Sequence, residues 1–178
     1  MIYENARQKS RQAIKSTMLQ LMRTKPMLSI TVTEICRLCH LNRSTFYAYY
    51  PTIDHLISDL HRDLFLLMEE HLHLTPQTYN DRDKALFTSF LIHICQEDER
   101  FRLFVRSDNP NLFVSNMAEH FLSRFCPKNA SIARRYAQLY HMVGAFTLLC
   151  AWIQEGYPCP AEELAQQILE LTESAKRP

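Results

Sequence analysis

The sequence predicts an all-α protein, and three observations carry that prediction. Apolar residues recur at three- and four-residue intervals along almost the whole chain. No stretch alternates with a period of two between Gly or Asn turns, as a hairpin would. Only two glycines, Gly144 and Gly156, occur in 178 residues, so a phosphate-cradling loop with closely spaced glycines is excluded, and most nucleotide-binding enzyme classes with it. The length predicts one domain with a small appended module. A hydrophobic share of 47% against 22% charged residues leaves enough apolar area for a core.

In the first helix Ile14, Met18, Leu21 and Met22 fall at i, i+4, i+7 and i+8, while Arg7, Lys9, Arg11 and Lys15 stay off that stripe. It stops at Thr24-Lys25-Pro26, because a residue before proline avoids the α region. Thr31-Val32-Thr33-Glu34 then supplies a capping box for a short second helix that buries Val32, Ile35 and Leu38 and ends near Cys39. Asn42 is the next good N-cap. Leu41 before it and Phe46 after it have the spacing of a hydrophobic staple, which starts a third helix, Arg43 to Tyr50, at a sharp angle. A longer helix followed by two short ones across a three-residue turn is a helix-turn-helix unit. Beyond Pro51-Thr52, a long fourth helix carries Ile53, Leu56, Ile57, Leu60, Leu64, Leu67 and His71. Breaks at 74–81, 107–111, 127–131 and 155–160 separate further helices of ordinary length. The expected organisation is a three-helix helix-turn-helix head, 1–51, and a C-terminal helical bundle, 52–178.

The net charge of +1 conceals an asymmetry. Residues 1–50 hold eight Lys and Arg against Glu4 and Glu34, a net of +6, so the remaining 128 residues carry −5. A basic head on an acidic body favours a polyanion partner for the head alone. In the third helix Phe46 and Tyr50 pack inward. Ser44, Thr45 and Ala48 then point outward, with Arg43, Tyr47 and Tyr49 on the flanks. A face short at its centre and basic at its rim suits the DNA major groove: Arg43 forks onto a guanine edge, while Thr45, Tyr47 and Tyr49 hold phosphates. Thr31 and Thr33 open the second helix toward the DNA backbone, and Lys9, Arg11 and Lys15 add long-range attraction. The partner predicted for this face is double-stranded DNA.

The run Ile30-Thr31-Val32-Thr33-Glu34-Ile35-Cys36, then Leu41-Asn42-Arg43-Ser44-Thr45-Phe46-Tyr47-Ala48-Tyr49-Tyr50-Pro51, then Leu56-Ile57, resembles the DNA-binding head of the tetracycline-repressor-like (TetR) family of bacterial regulators over residues 7–60. The resemblance implies DNA contacts at Thr45, Tyr47 and Tyr49 and base reading at Arg43 and Ser44. Three positions depart from that pattern. His40 fills a turn position usually held by glycine or a small residue, Tyr49 replaces a more common histidine, and Ile53 stands where a phosphate-binding lysine is frequent.

The helix from Ser131 to Glu155 is apolar almost all round, which predicts burial on two sides. One side meets its own core and the other a second copy of the chain, with the last helix, Ala161 to Glu173, completing a four-helix contact. A small-molecule effector is expected in an aromatic pocket at Phe90, Phe104, Phe113 and Met117, with Phe87, Phe101 and Phe121 nearby. No cofactor, metal or catalytic residue is predicted. Cys36-Arg37-Leu38-Cys39-His40 matches a haem-attachment string, but it ends a core helix in a chain with no export signal. His61-Arg62-Asp63-Leu64 imitates a kinase loop without its asparagine and reads as a surface turn of the fourth helix. The six cysteines read as reduced thiols, Cys95 and Cys126 being the ones a redox sensor would use, and no apolar run approaches the length of a membrane span. The expected protein is a cytoplasmic homodimeric regulator, more specifically a repressor on a palindromic operator. The alternative is a coactivator or adapter that keeps the fold but binds no operator.

Overall fold

The structure, a computed structural model, describes residues 2–72, 92 and 97–174. The described elements are α-helices and one 3₁₀ turn, so the fold is all-α: α1 Ile2–Met22, the turn Met27–Ser29, α2 Val32–Leu38, α3 Arg43–Tyr49, α4 Ile53–Leu72, α5 Glu99–Val105, α6 Pro110–Phe125, α7 Ile132–Gln154 and α8 Ala161–Ser174. Among them no helix is long and apolar enough to cross a membrane. The chain divides into two compact units, Met1–Leu60 with Ser107–Asn109, and His61–Arg106 with Pro110–Pro178.

The first unit is the helix-turn-helix head. Ile14 and Met18 of α1, Ile35 of α2, Phe46 of α3 and Leu56 of α4 have no exposed surface and form its core. The capping box is present at α2: Thr31 Oγ1 accepts from Glu34 N at 3.3 Å, and Glu34 Oε2 accepts from Thr31 N at 3.1 Å. Leu38 is exposed rather than buried, and Cys36 takes the inward position beside Ile35. Asn42 starts α3 through its carbonyl, which accepts from Thr45 N and Phe46 N, and its side chain makes no cap bond. His40 adopts the left-handed conformation, φ 54°, so that Leu41 N can donate to Cys36 O at 3.0 Å and close the end of α2. The reversal that glycine usually makes is therefore made here by histidine, at modest strain. In the segment Ser107–Asn109, the Asp108 carboxylate accepts from Leu28 N at 3.1 and 3.3 Å.

The second unit is built around aromatic rings. Phe113 of α6 lies edge-on to Phe101 at 5.5 Å and to Phe146 at 6.1 Å, and is stacked with Phe104 at 5.9 Å. α7 is anchored at its end by Gln154 Nε2 donating to Val105 O at 2.8 Å and by Trp152 Nε1 donating to Cys159 O at 2.9 Å. Gly156, φ 80°, terminates it: Gly156 N donates to Ile153 O and Tyr157 N to Trp152 O, while the Tyr157 ring packs edge-on to Trp152. The buried face of α7 is Met142, Ala145, Phe146, Leu149 and Ile153; the opposite face leaves Ile132, Tyr136, Leu139, Tyr140 and Val143 exposed.

His61 corrects a sequence expectation. It is not on a surface turn but fully buried, its ring edge-on to Phe104 at 4.3 Å and to Phe113 at 5.1 Å. Its position explains why: His61 stands four residues after Ile57 and three before Leu64, on the stripe of α4 that is buried along its length.

Because Phe113 touches four rings and has 1% of its surface exposed, Phe113→Ala should lower unfolding stability by about 3–5 kcal/mol. Urea titration would show it as a lower midpoint at unchanged slope.

Candidate DNA-binding interface

α3 is held from beneath by Phe46, fully buried, and by Tyr50 just past its end, 3% exposed. Their rings lie 5.8 Å apart. Four-residue spacing puts both on one side of the helix, which leaves Arg43, Ser44, Tyr47 and Ala48 exposed and Thr45 and Tyr49 half-buried. Arg43 Nη2 donates to Tyr47 Oη at 3.3 Å, and its guanidinium lies 5.9 Å from the centre of the Tyr47 ring. This i, i+4 pair holds a forked donor in an extended pose at the start of the helix.

Thr31 and Thr33 are exposed on the first turn of α2. The Thr31 hydroxyl is engaged in the cap and donates to Glu34 Oε2 at 3.0 Å. Lys25 Nζ holds the other oxygen of Glu34 at 2.7 Å. Lys25 first, then Thr31, keeps the Glu34 carboxyl below its ordinary range. The acid nearest the interface thus stays ionised, with Lys25 beside it to offset its charge.

Two cations expected to face solvent are tied to one carboxylate instead, Lys15 buried and Arg11 still partly exposed. Arg11 is bidentate on Asp59, Nη2 to Oδ1 at 2.7 Å and to Oδ2 at 2.6 Å, and Lys15 Nζ reaches Asp59 Oδ2 at 2.8 Å with only 6% of its surface exposed. Tyr50 Oη donates to the same Oδ2 at 2.7 Å, and Arg11 Nε donates to Tyr50 Oη at 3.1 Å. One carboxylate on α4 therefore binds α1 and the end of α3. Burial alone would raise the Asp59 pKa, but the bonds from Lys15, Tyr50 and Arg11 prevail and hold it down at about 2. Burial and Asp59 together push the Tyr50 phenol up. Sequence reading missed this cluster, although Asp59 stands at i+3 from Leu56 and beside Leu60, within the apolar stripe of α4. Arg7 and Lys9 remain exposed on α1, as does Arg37 at the end of α2.

Of the residues named for an effector, Phe104, Phe113 and Met117 lie in the aromatic core of the second unit, each 1% exposed or less. Phe90, like Phe87 and Cys95, lies outside the described residues. A groove of about 640 Å³ runs along α6 and α7 and is lined by other side chains, among them Leu122, Cys126, Lys128, Arg135 and Leu139. Among the described residues no cluster of three or more His, Cys, Asp or Glu could hold a metal.

No protein-family model matches the chain, and no curated protein matches it. Solved structures do. A TetR transcriptional regulator from Streptococcus agalactiae superposes with a TM-score of 0.70 at 19% identity, over 97% of this chain and 98% of that one. NalD of Pseudomonas aeruginosa, the secondary repressor of the MexAB-OprM multidrug efflux pump, gives 0.61 at 15% identity, over 94% and 96%. FadR of Bacillus subtilis, in complex with stearoyl-CoA, gives 0.55 at 15% identity, over 93% and 99%. Identities this low speak for fold alone. The chain has the fold of TetR-type transcriptional regulators, head and body together.

Asp59 has a folded pKa below its ordinary value, so its contribution is present above about pH 4 and is lost as pH falls toward 2. The shift corresponds to about 2 kcal/mol. Asp59→Asn should lose roughly 2–4 kcal/mol at pH 7, because the buried Lys15 charge loses the carboxylate 2.8 Å away, and should flatten the stability profile between pH 4 and 2. Urea midpoints across that range check both.

Proposed function

We propose that the chain is a homodimeric, sequence-specific DNA-binding transcriptional repressor, with no enzymatic activity of its own. The observation that carries this reading is the outer face of α3: Arg43, Ser44, Tyr47 and Ala48 exposed, with half-buried Thr45 among them, on a Phe46–Tyr50 base. Arg43 reads a guanine edge, Ser44 and Ala48 let the helix approach the groove floor, and Thr45, Tyr47 and Tyr49 with Thr31 and Thr33 hold phosphates on either side. Tyr49 supplies a phenol donor where a histidine is more usual. Ile53 supplies no charge, so the salt dependence is shallower than a lysine there would give.

A second copy covers the exposed face of α7. Ile132, Tyr136, Tyr140 and Val143 are too large an apolar surface to leave in water on a helix whose other side already fills a core. Ala137, Gly144 and Ala151 run beside them at seven-residue intervals, and a Cβ at Gly144 would meet nothing within 4 Å. That leaves room for a partner helix to come close. Leu171 on α8 is exposed as well. Twofold pairing through these helices presents two copies of α3 to successive major grooves, about 34–36 Å apart on a palindrome.

Regulation comes from a small molecule in the aromatic core of the second unit. Such a ligand releases DNA only to the extent that it favours the form with the wrong spacing of the two heads. α4 is the lever, since it carries Asp59 in the head and continues into the second unit. The matched structures described as an efflux-pump repressor and as a regulator bound to an acyl-CoA support a DNA-binding, ligand-responsive role.

Fluorescence anisotropy against DNA upstream of the chain's own gene, repeated over a salt series, tests the DNA reading. Saturable binding should weaken linearly in log affinity against log salt, and Arg43→Ala should cost roughly tenfold or more. Flat binding at low salt would leave the adapter reading instead. Tyr136→Glu combined with Tyr140→Glu should yield a folded monomer in sedimentation with operator affinity lost; an intact dimer would place the interface elsewhere.

A further inference from the structure

Within the aromatic core of the second unit, His61 presents a hydrogen-bonding group that no described residue uses. Its side chain has no exposed surface. Nδ1 lies 2.9 Å from the Asn116 amide nitrogen, and Nε2 is buried with no hydrogen-bond partner. Burial, with a smaller push from His120, keeps the ring neutral, its pKa down at about 3. In a neutral ring that accepts at Nδ1 from Asn116, the proton sits on Nε2. An orphaned N–H is therefore fixed among Phe104 and Phe113, where a phenylalanine or leucine would pack without the desolvation penalty.

We propose that His61 Nε2–H is the recognition donor for the effector, selecting an uncharged, largely aromatic molecule with a carbonyl-type acceptor. The assignment rests on the effector reading above and adds the ligand's class to it. The rings of Phe104 and Phe113 at 4.3 and 5.1 Å favour a flat apolar body. The described groups against the His61 ring, Phe104, Phe113 and Asn116, carry no charge, so a carboxylate brought among them would meet no counter-charge, which favours a neutral acceptor. Asn116 is a positioning residue that fixes the tautomer.

The test compares acetophenone with α-methylstyrene, which has the same shape but a CH₂ in place of the carbonyl oxygen, by thermal shift and Trp152 fluorescence. The full-length protein should bind acetophenone roughly tenfold tighter. His61→Phe should bring the two to parity while keeping α-methylstyrene binding. Long-range ¹⁵N NMR of the histidine ring, which needs no variant, should find the proton on Nε2. A preference that survives in His61→Phe, no preference or no binding in the unmodified protein, or a proton on Nδ1 would overturn the assignment. Operator anisotropy on the same samples separates the two readings: a chain that binds operator but lacks the preference loses only the His61 assignment. A His61-dependent preference in a chain that binds no operator removes only the repressor reading.

Discussion

A single buried carboxylate ties together the helices of the head. Asp59 gathers a guanidinium from α1, an ammonium from α1 and the phenol of Tyr50 at the end of α3. Each of the four would be costly to bury alone, and together they satisfy one another. The consequence is orientation. Hydrophobic contacts at Ile14, Ile35 and Phe46 pull the three helices together without direction, whereas bonds of 2.6–2.8 Å to two oxygen atoms fix how α3 is turned about its axis. The basic residues that looked like solvent-facing attraction for DNA are thus divided: Arg7, Lys9 and Arg43 stay outside, and Arg11 and Lys15 hold the scaffold.

α4 carries two constraints of different kind within three residues. Asp59 is committed to charged partners in the head, and His61 to rings and an amide in the second unit. Two residues along a helix turn the side chain by about 200°, so one continuous rod can present a polar anchor to one core and an aromatic one to another. In the proposed mechanism that rod is the route from ligand to recognition helix.

α7 shows how composition can be read correctly and still leave the arrangement open. Its all-round apolar character predicted two covered faces. The chain itself covers one, through Phe146, Leu149 and Ile153, and leaves Ile132, Tyr136 and Tyr140 in solvent. Tyrosines at 68% and 69% exposure are tolerable there because each carries a hydroxyl that water can bond. The aromatic residues around Phe113 read as a pocket or a packed core from spacing alone, with the packed core favoured for any single ring, and ring distances near 5–6 Å pack the described ones against each other.

What the sequence determined by itself was local. The Thr31–Glu34 box, the Pro26 stop, the Phe46 and Tyr50 pair and the helical period depend on neighbours within four or five residues, so the helices and the outward face of α3 could be read directly. The burial of Lys15, Asp59 and His61, and the commitment of Arg11 to Asp59, were decided only in three dimensions. Those outcomes turn on partners 39 to 55 residues away in the chain, and a charge or an imidazole on a helix gives no sign of which distant group will meet it.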